Sequence, residues 1–208
     1  MNEYLRERGA WRLRTHVDVD EGGTRFLERL GFEPHGADRV SALELAGAEL
    51  PEPAAAVVPL SEARDREHDL YEICAAGEID MPGDEPETEL SFEDWRQDDY
   101  GSPALSDQGS FVALDGELAV ALAFLIVDPG RGLAYNEMTA TLPSHRRRGL
   151  ALAVKTAAAR WAREEGFERI VTENDEENAG MLAVNERLGY RFLYEQVSWL
   201  REWERPSV

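Results

Sequence analysis

Alternating apolar and polar positions divide the chain into short helices and strands that follow one another in turn. The elements that this pattern predicts in the first fifty residues are the end of a helix at 3–8, a strand at 11–17, an acidic loop at 18–21, a helix at 24–30, and strands around Phe32 and at 40–45. A proline- and alanine-rich stretch at 51–56 then interrupts the pattern and is typical of a linker.

A second and longer series of elements begins at residue 57. It comprises a helix at 62–76 with Ser61 as its N-cap, a short helix that Ser91 and Asp94 cap, a hairpin at 111–127, a strand at 133–142, a helix at 150–165, a strand at 169–172, a helix at 178–188, and strands around Phe192 and at 197–200. Helices that alternate with strands, together with a hairpin, predict an α/β domain with a mixed sheet.

The two series share an internal repeat. The pentapeptide at 28–32 matches the one at 186–190 in four of five positions, and Thr15 and Asp18 correspond to Thr172 and Asp175. We therefore interpret residues 1–50 as the C-terminal half of a domain whose complete copy occupies 57–208, with 51–56 as the linker. Half a domain has too little core to stand alone. It must dock on its own chain or pair with a second chain, and we expect a homodimer.

Charge and cysteine content narrow the classes of partner. The formal net charge of -20 argues against nucleic acid and anionic membrane surfaces, and it would suit a cationic small molecule. Cys74 is the only cysteine, so an intrachain disulfide is excluded and a reducing cytoplasm is expected. The charged start of the chain does not resemble a signal peptide, and the longest apolar run, 118–127, is too short to span a bilayer.

The stretch at 144–151 carries the clearest chemistry. It fits Arg-x-x-Gly-x-Ala at Arg146, Gly149 and Ala151, between a predicted strand and a predicted helix. The first N–H groups of a helix lack partners inside the helix, and the positive end of its dipole lies at the same place, so a phosphate is the expected ligand. Gly149 would let the backbone approach that ligand closely, and the neighbouring arginines add charge.

This loop is followed at a distance of about thirty residues by Asn178-x-x-Met181-x-x-Val184-Asn185-x-x-x-Gly189-Tyr190. Together the two motifs resemble the GNAT superfamily of acyl-CoA-dependent N-acetyltransferases. The whole chain resembles tandem GNAT proteins of actinobacterial type, mycothiol synthase among them, with most of the first domain absent. The resemblance implies a mixed, mostly antiparallel central sheet flanked by helices, acetyl-CoA as co-substrate without a metal, and direct transfer of the acetyl group to a primary amine of a small acceptor.

The resemblance also implies roles for individual residues. Backbone N–H groups of 147–151 would hold the pyrophosphate, the strand at 135–142 would pair with the pantetheine arm, and the N–H near Thr139 would polarise the thioester carbonyl. Asn178 would bond to the cofactor from the start of the next helix. The implied cofactor-binding residues are Thr139, Ala140, Thr141, Arg146, Arg147, Arg148, Gly149, Leu150, Ala151, Asn178 and Asn185.

Proton transfer is the step on which the sequence departs from this family. The base that deprotonates the amine would be Glu137 or Glu173, and we favour Glu137. Many members carry, at the position of Asn185, a tyrosine that protonates the departing thiolate. Asparagine is not an acid at neutral pH, so protonation by solvent is the expected substitute. A non-catalytic acyl-CoA-binding module is therefore the alternative function.

Three further groups of residues have two interpretations each. His145 is interpreted as a surface residue of the loop rather than as a base. The acidic segment 78–99 would either select a cationic amine or form a solvated face. The aromatic residues that could wall an acceptor pocket, or instead belong to the core, are Trp95, Tyr100, Trp199 and Trp203.

Overall fold

A computed structural model describes residues 10–18, 21–80 and 90–203, and within them a single sheet of eight strands forms the centre of the molecule. The strands are β1 (Arg12–Asp18), β2 (Glu33–Glu44), β3 (Val57–Pro59), β4 (Phe111–Asp115), β5 (Leu118–Asp128), β6 (Leu133–Thr141), β7 (Arg169–Asp175) and β8 (Arg191–Glu202). The helices are α1 (Glu21–Arg29), α2 (Glu67–Asp80), α3 (Phe92–Asp94), α4 (Leu150–Glu164) and α5 (Ala179–Leu188). The strand order across the sheet is β1-β8-β2-β7-β6-β5-β4-β3.

The predicted mixed, mostly antiparallel sheet with flanking helices is confirmed. In the described ranges every strand pair is antiparallel except β6 with β7. Successive residues of β5 face opposite sides of the sheet: Leu122 packs in one cluster with Leu70 of α2, whereas Ala123 packs in another with Val154 of α4. The helices α2 and α4 therefore cover opposite faces. Of the helices that the structure describes, none is both long and apolar enough to cross a membrane.

Local predictions succeed where the turn chemistry is strong. The hairpin β4–β5 turns at Gly116, whose φ of 64° is in the left-handed region, and Ser91 Oγ accepts a hydrogen bond from Asp94 N as an N-cap. Ser61 as an N-cap is wrong, because its N–H donates to the Asp107 carbonyl and α2 begins only at Glu67. The predicted helix end at 3–8, residues 19–20 of the acidic loop and residues 81–89 of the acidic segment lie outside the described residues.

The N-terminal strands join the same sheet as the rest of the chain. β2 lies between β7 and β8, and β1 pairs with the outer side of β8. β1 of the first copy pairs with β8 of the second, and β7 of the second copy pairs with β2 of the first. The two copies of the sequence repeat therefore exchange equivalent strands in an approximately two-fold arrangement. The two short strands predicted in each copy are in fact one strand of twelve residues, β2 or β8. The segment thus docks on its own chain, and the homodimer stays a prediction.

Candidate functional site

A large cleft opens where β6 and β7 separate. The two parallel strands pair only from Leu133 to Tyr135 on β6, opposite Arg169 to Val171 on β7, and beyond this point they diverge. The cleft has a volume of about 1540 Å³, and both strands, α2, α4, α5 and parts of β1 and β2 contribute to its walls. A split in the middle of a sheet exposes main-chain groups that an extended ligand can pair with.

Buried Asn136 holds the point at which the strands separate. On β6, Glu137 is an extra residue in a bulge, because Phe124 and Leu125 of β5 face Met138 and Asn136. The Asn136 Nδ2 donates to the carbonyls of Phe124 at 3.2 Å and Met138 at 3.1 Å, on both sides of the bulge. The Asn136 carbonyl in turn accepts from Thr172 Oγ1 of β7 at 3.3 Å. Asn136 was not predicted from the sequence, although it is an amide on a strand face whose other residues, Ala134, Met138 and Ala140, are apolar.

The predicted phosphate loop closes one end of the cleft. Arg147 has a φ of 62° and Gly149 a φ of 79°, and α4 starts at Leu150. A side chain added at Gly149 would meet no atom within 4 Å, and Gly149 lines the cleft, so the space in front of it is open. Left-handed residues before a helix start turn consecutive N–H groups towards one spot, which is the geometry of an anion site.

The arginines of this loop differ in whether their side chains line the cleft. Arg146 and Arg147 line the cleft, and Arg146 donates to the Thr141 carbonyl at 3.1 Å and pairs with Asp80 of α2. Arg148 instead pairs with Asp115 at 3.6 Å and does not line the cleft. His145 contacts the same carboxylate at 3.2 Å, in accord with its interpretation as a loop residue. Arg148 can reach a ligand in the cleft only through its backbone.

Of the predicted cofactor residues on β6 and in the helices, Thr139, Ala140, Thr141, Leu150, Ala151 and Asn178 also line the cleft. Asn178 caps α5, since its Oδ1 accepts from Met181 N at 3.1 Å. Asn185 does not line the cleft. It is buried, and its Nδ2 donates to Asn174 Oδ1 at 2.6 Å, so its amide faces β7.

Both predicted candidate bases are exposed and line the cleft, but their surroundings differ. Glu137 projects from the bulge of β6. Glu173 lies beside two residues of the N-terminal strands, His16 and Asp38, and polar atoms of the three lie within 4.8 Å of one another. Burial raises the pKa of Asp38, although the nearby His16 opposes this effect. Sequence analysis missed His16 and Asp38, because their approach to Glu173 depends on where β2 inserts.

Lys155 of α4 is the most unusual residue in the cleft wall. Only 2% of it is exposed, and its Nζ lies 5.0 Å from the centre of the Tyr190 ring. Burial lowers the pKa of Lys155 to about 7. Sequence analysis missed it, although the chain offered a signal: Lys155 is the only lysine.

The wall of the cleft that is formed by the end of α2 and the segment after α3 is acidic. Glu78 at the end of α2 and Asp99 after α3 both line it, and burial raises the pKa of each carboxyl. The charge of Asp99 raises the pKa of Glu78 further. In the described ranges no lysine or arginine pairs with either residue. The cleft is thus lined both by cations, Arg146 and Arg147, and by these carboxylates, which suits it to a ligand pair of opposite charges.

The four aromatic candidates for an acceptor wall are mostly core residues. Trp95 and Tyr100 stack at 4.8 Å and are buried, although one edge of Trp95 reaches the cleft. Trp199 packs with Leu27 and Phe32 under the N-terminal strands. Trp203 lies against Arg201 at 5.0 Å. The core interpretation holds for Trp95, Tyr100 and Trp199.

Comparison with known proteins agrees with this fold. The structure is similar to a GCN5-related N-acetyltransferase from Sphaerobacter thermophilus, with 18% identity and a TM-score of 0.71 over 100% of this chain and 66% of that chain. It is also similar to a tandem GNAT protein from the clavulanic acid biosynthesis pathway (18% identity, TM-score 0.68, 96% of this chain and 66% of that one). A GCN5-related N-acetyltransferase from Kribbella flavida has 20% identity and a TM-score of 0.61, over 100% of this chain and 73% of that one.

The chain thus spans 66% of the length of the first and of the tandem protein, and at these identities the similarity shows the fold alone. No curated protein matches the chain. A family model described as Acetyltransferase (GNAT) family matches residues 67–190, which is more than half of the sequence. The chain therefore belongs to the acetyltransferase (GNAT) family.

Proposed function

We propose that the protein is an acetyl-CoA-dependent N-acetyltransferase that acetylates the primary amine of a small cationic acceptor. Acyl transfer is the general activity of its family. The observation that supports the specific proposal is one continuous cleft that is lined both by the phosphate loop and by Glu78 and Asp99, whose carboxylates pair with no lysine or arginine of the described residues. We place the protein in the cytoplasm, and we propose a homodimer because β1 is the last strand of the sheet on its side among the described residues.

The cofactor would lie along β6. The N–H groups at the start of α4 hold the pyrophosphate, and Gly149 keeps the space in front of them free. The main chain of Thr139, Ala140 and Thr141 pairs with the pantetheine arm on the side of β6 that β7 leaves open. The N–H near Thr139 stabilises the oxyanion that forms when the amine attacks the thioester.

Glu137 is the proposed base. A primary amine is mostly protonated at neutral pH, so a carboxylate must take its proton before it attacks. Glu137 is the extra residue of the bulge in β6, next to the fork between β6 and β7, and its side chain is exposed. Among the described residues no cation pairs with Glu137, which leaves its carboxylate available. Glu173 is the alternative base, and its carboxylate already lies close to polar atoms of His16 and Asp38.

The carboxylates Glu78 and Asp99 would select the cationic acceptor. The charge of Asp99 raises the pKa of Glu78, and a cation bound between the two carboxylates removes this repulsion. A diamine or polyamine offers one amine to the carboxylates and a second to the thioester. We therefore expect higher kcat/KM for such acceptors than for neutral monoamines of the same length.

A non-catalytic acyl-CoA-binding module is the second candidate function, and the position of Asn185 favours it. The side chain that would stand near the thiolate is bound to Asn174 and is outside the cleft. Steady-state release of free thiol from acetyl-CoA, measured across a panel of amines, separates the two functions. Thiol release that depends on the amine supports the enzyme, and tight coenzyme A binding without release supports the module.

The phosphate loop can be tested by calorimetry with coenzyme A. Gly149→Asp places a side chain and a negative charge against the pyrophosphate, so affinity should fall by at least about tenfold. Gly47→Asp is the matched control, because Gly47 also has a positive φ of 77° and open space around it but lies outside the cleft. Equal losses in both variants, or no loss in either, would remove this loop from the binding site.

A further inference from the structure

The chain contains one lysine and twenty-one arginines, and the lysine is at the most buried position that any cation occupies among the described residues. Exposed cations are thus all arginine. An ammonium group is strongly hydrated, and burying it is unfavourable unless it is neutralised. A lysine differs from an arginine in that it can lose its proton near neutral pH. The single lysine therefore occupies a buried position at which its ammonium group can release a proton.

Among the residues that the structure describes, none forms an ion pair with Lys155. Its Nζ contacts the Tyr190 ring, and the structure gives it no hydrogen-bond acceptor in the described part of the chain. The charged groups that the neighbouring elements place on the cleft are Glu137 of β6, Glu173 and Asp175 of β7, and Arg187 of α5. Burial is what lowers the pKa of Lys155, to about 7. A buried ammonium that lines a cleft without an acceptor is suited to donate to whatever enters the cleft.

Tyr190 connects Lys155, which lines one corner of the cleft, to Asn185, which is buried outside it. The N–H of Tyr190 donates to the Asn185 carbonyl at 3.0 Å, and the ring of Tyr190 lies beneath the Lys155 ammonium. Asn185 holds the position from which an acid would reach the thiolate, but its amide is bound to Asn174 and cannot act as an acid. Of these two residues, Lys155 is the one that lines the cleft and can donate a proton.

We propose that Lys155 protonates the sulfur of coenzyme A as the thioester bond breaks. The proposal rests on the acetyltransferase function proposed above. The deprotonated amine attacks the carbonyl carbon and forms the new C–N bond, the carbonyl π electrons move to oxygen, and the nitrogen releases its surplus proton to solvent. When the intermediate collapses, the C–S bond breaks and its electron pair stays on sulfur. An N–H bond of the Lys155 ammonium then breaks, an S–H bond forms, and the neutral lysine takes up a proton from solvent.

The single lysine allows a direct test by NMR. Selective isotope labelling of lysine gives one resonance, whose titration is followed in the free protein, with coenzyme A, and with desulfo-coenzyme A, which lacks the sulfur. A sulfur next to the ammonium should shift the titration of Lys155 only with coenzyme A. The same titration with both ligands would overturn the proposal, and this result does not depend on turnover.

Kinetics supply the second arm. In Lys155→Met and Lys155→Gln we expect kcat to fall by roughly 100-fold or more, with the affinity for coenzyme A unchanged within about twofold. The parent should lose activity at alkaline pH as Lys155 is deprotonated, and this alkaline limb should be absent in both variants. Arg160→Met is the control: this residue lies on the same helix but bonds to Leu50 and Glu52, outside the cleft.

The outcomes separate the two proposals. A parent that turns over, with both Lys155 variants equally fast, would overturn the role of Lys155 and leave the acetyltransferase intact. A parent that releases no thiol with any amine would overturn both. A mass increase of one acetyl group on Lys155 during turnover would also overturn the role, because an amide cannot donate this proton.

Discussion

Lys155→Met should stabilise the protein, by an amount that depends on pH. The pKa of Lys155 falls from 10.5 in an unfolded chain to about 7 in the folded one. Between these values the unfolded state binds more protons than the folded state, so the stability of the parent rises as pH rises from 7 towards 10.5. The destabilisation by Lys155 is fully present below pH 7 and is lost above 10.5.

The magnitude follows from the size of this shift. A change of about 3.5 pKa units corresponds to at most about 5 kcal/mol of destabilisation at low pH, since one unit is about 1.4 kcal/mol. The same relation gives about 4 kcal/mol at pH 7 and about 2 kcal/mol at pH 9. Methionine has a similar length and a polarisable, uncharged side chain, so it fills the same space without the ionisation term.

Urea unfolding of the two proteins at pH 7, 8 and 9 measures this difference. The free energy of unfolding of Lys155→Met should exceed that of the parent by several kcal/mol at pH 7, and the gap should narrow by about 2 kcal/mol at pH 9. Other titrating groups contribute equally to both proteins and cancel. A difference in the free energy of unfolding that stays constant from pH 7 to pH 9 would refute the lowered pKa of buried Lys155. A variant that is more stable but slower would also show that its loss of activity does not come from unfolding.

Three further predictions concern the base, the acceptor and the N-terminal segment. Glu137→Gln should lower the acetylation rate at neutral pH, and the loss should shrink at higher pH as the amine deprotonates itself; an unaltered pH–rate profile would shift the role to Glu173. Glu78→Gln combined with Asp99→Asn should raise KM for diamines by roughly tenfold but leave KM for neutral monoamines unchanged; equal changes would contradict cation selection. Deleting residues 1–50 should abolish cooperative unfolding, measured by circular dichroism, because β7 and β8 lose the strand between them; a stable truncated protein would contradict this.

The elements that sequence alone predicted correctly are those with local causes. The turn at 146–149 that leads into α4, the β4–β5 hairpin and α5 each depend on residues within a few positions of one another. The two long strands were each predicted as two because their alternation is broken: β2 changes register between Pro34 and Gly36, and again between Val40 and Ser41. A bulge removes the period of two from which a strand is recognised.

The residues of the site that sequence did not predict come together through contacts that are distant along the chain. Asn136 acts on the bulge through a carbonyl of another strand, and His16 reaches Glu173 only because β1 and β2 join the sheet of the C-terminal part. Lys155 is different, because its helix was predicted correctly but the direction in which its side chain points was not. A single polar residue on a mostly apolar helix face does not show whether it faces solvent or a cleft.

The insertion of β2 gives the N-terminal segment a part in the candidate site. β2 pairs Asp38 with Asp175 and Val40 with Glu173, and β1 holds His16 against Ser198 of β8. His16 and Asp38 thereby become walls of the cleft that β6 and β7 open. By contributing His16 and Asp38, the segment completes the sheet and adds to the wall of the cleft beside Glu173. Because truncation removes the fold and this wall together, point substitutions at His16 and Asp38 are what can separate the two contributions.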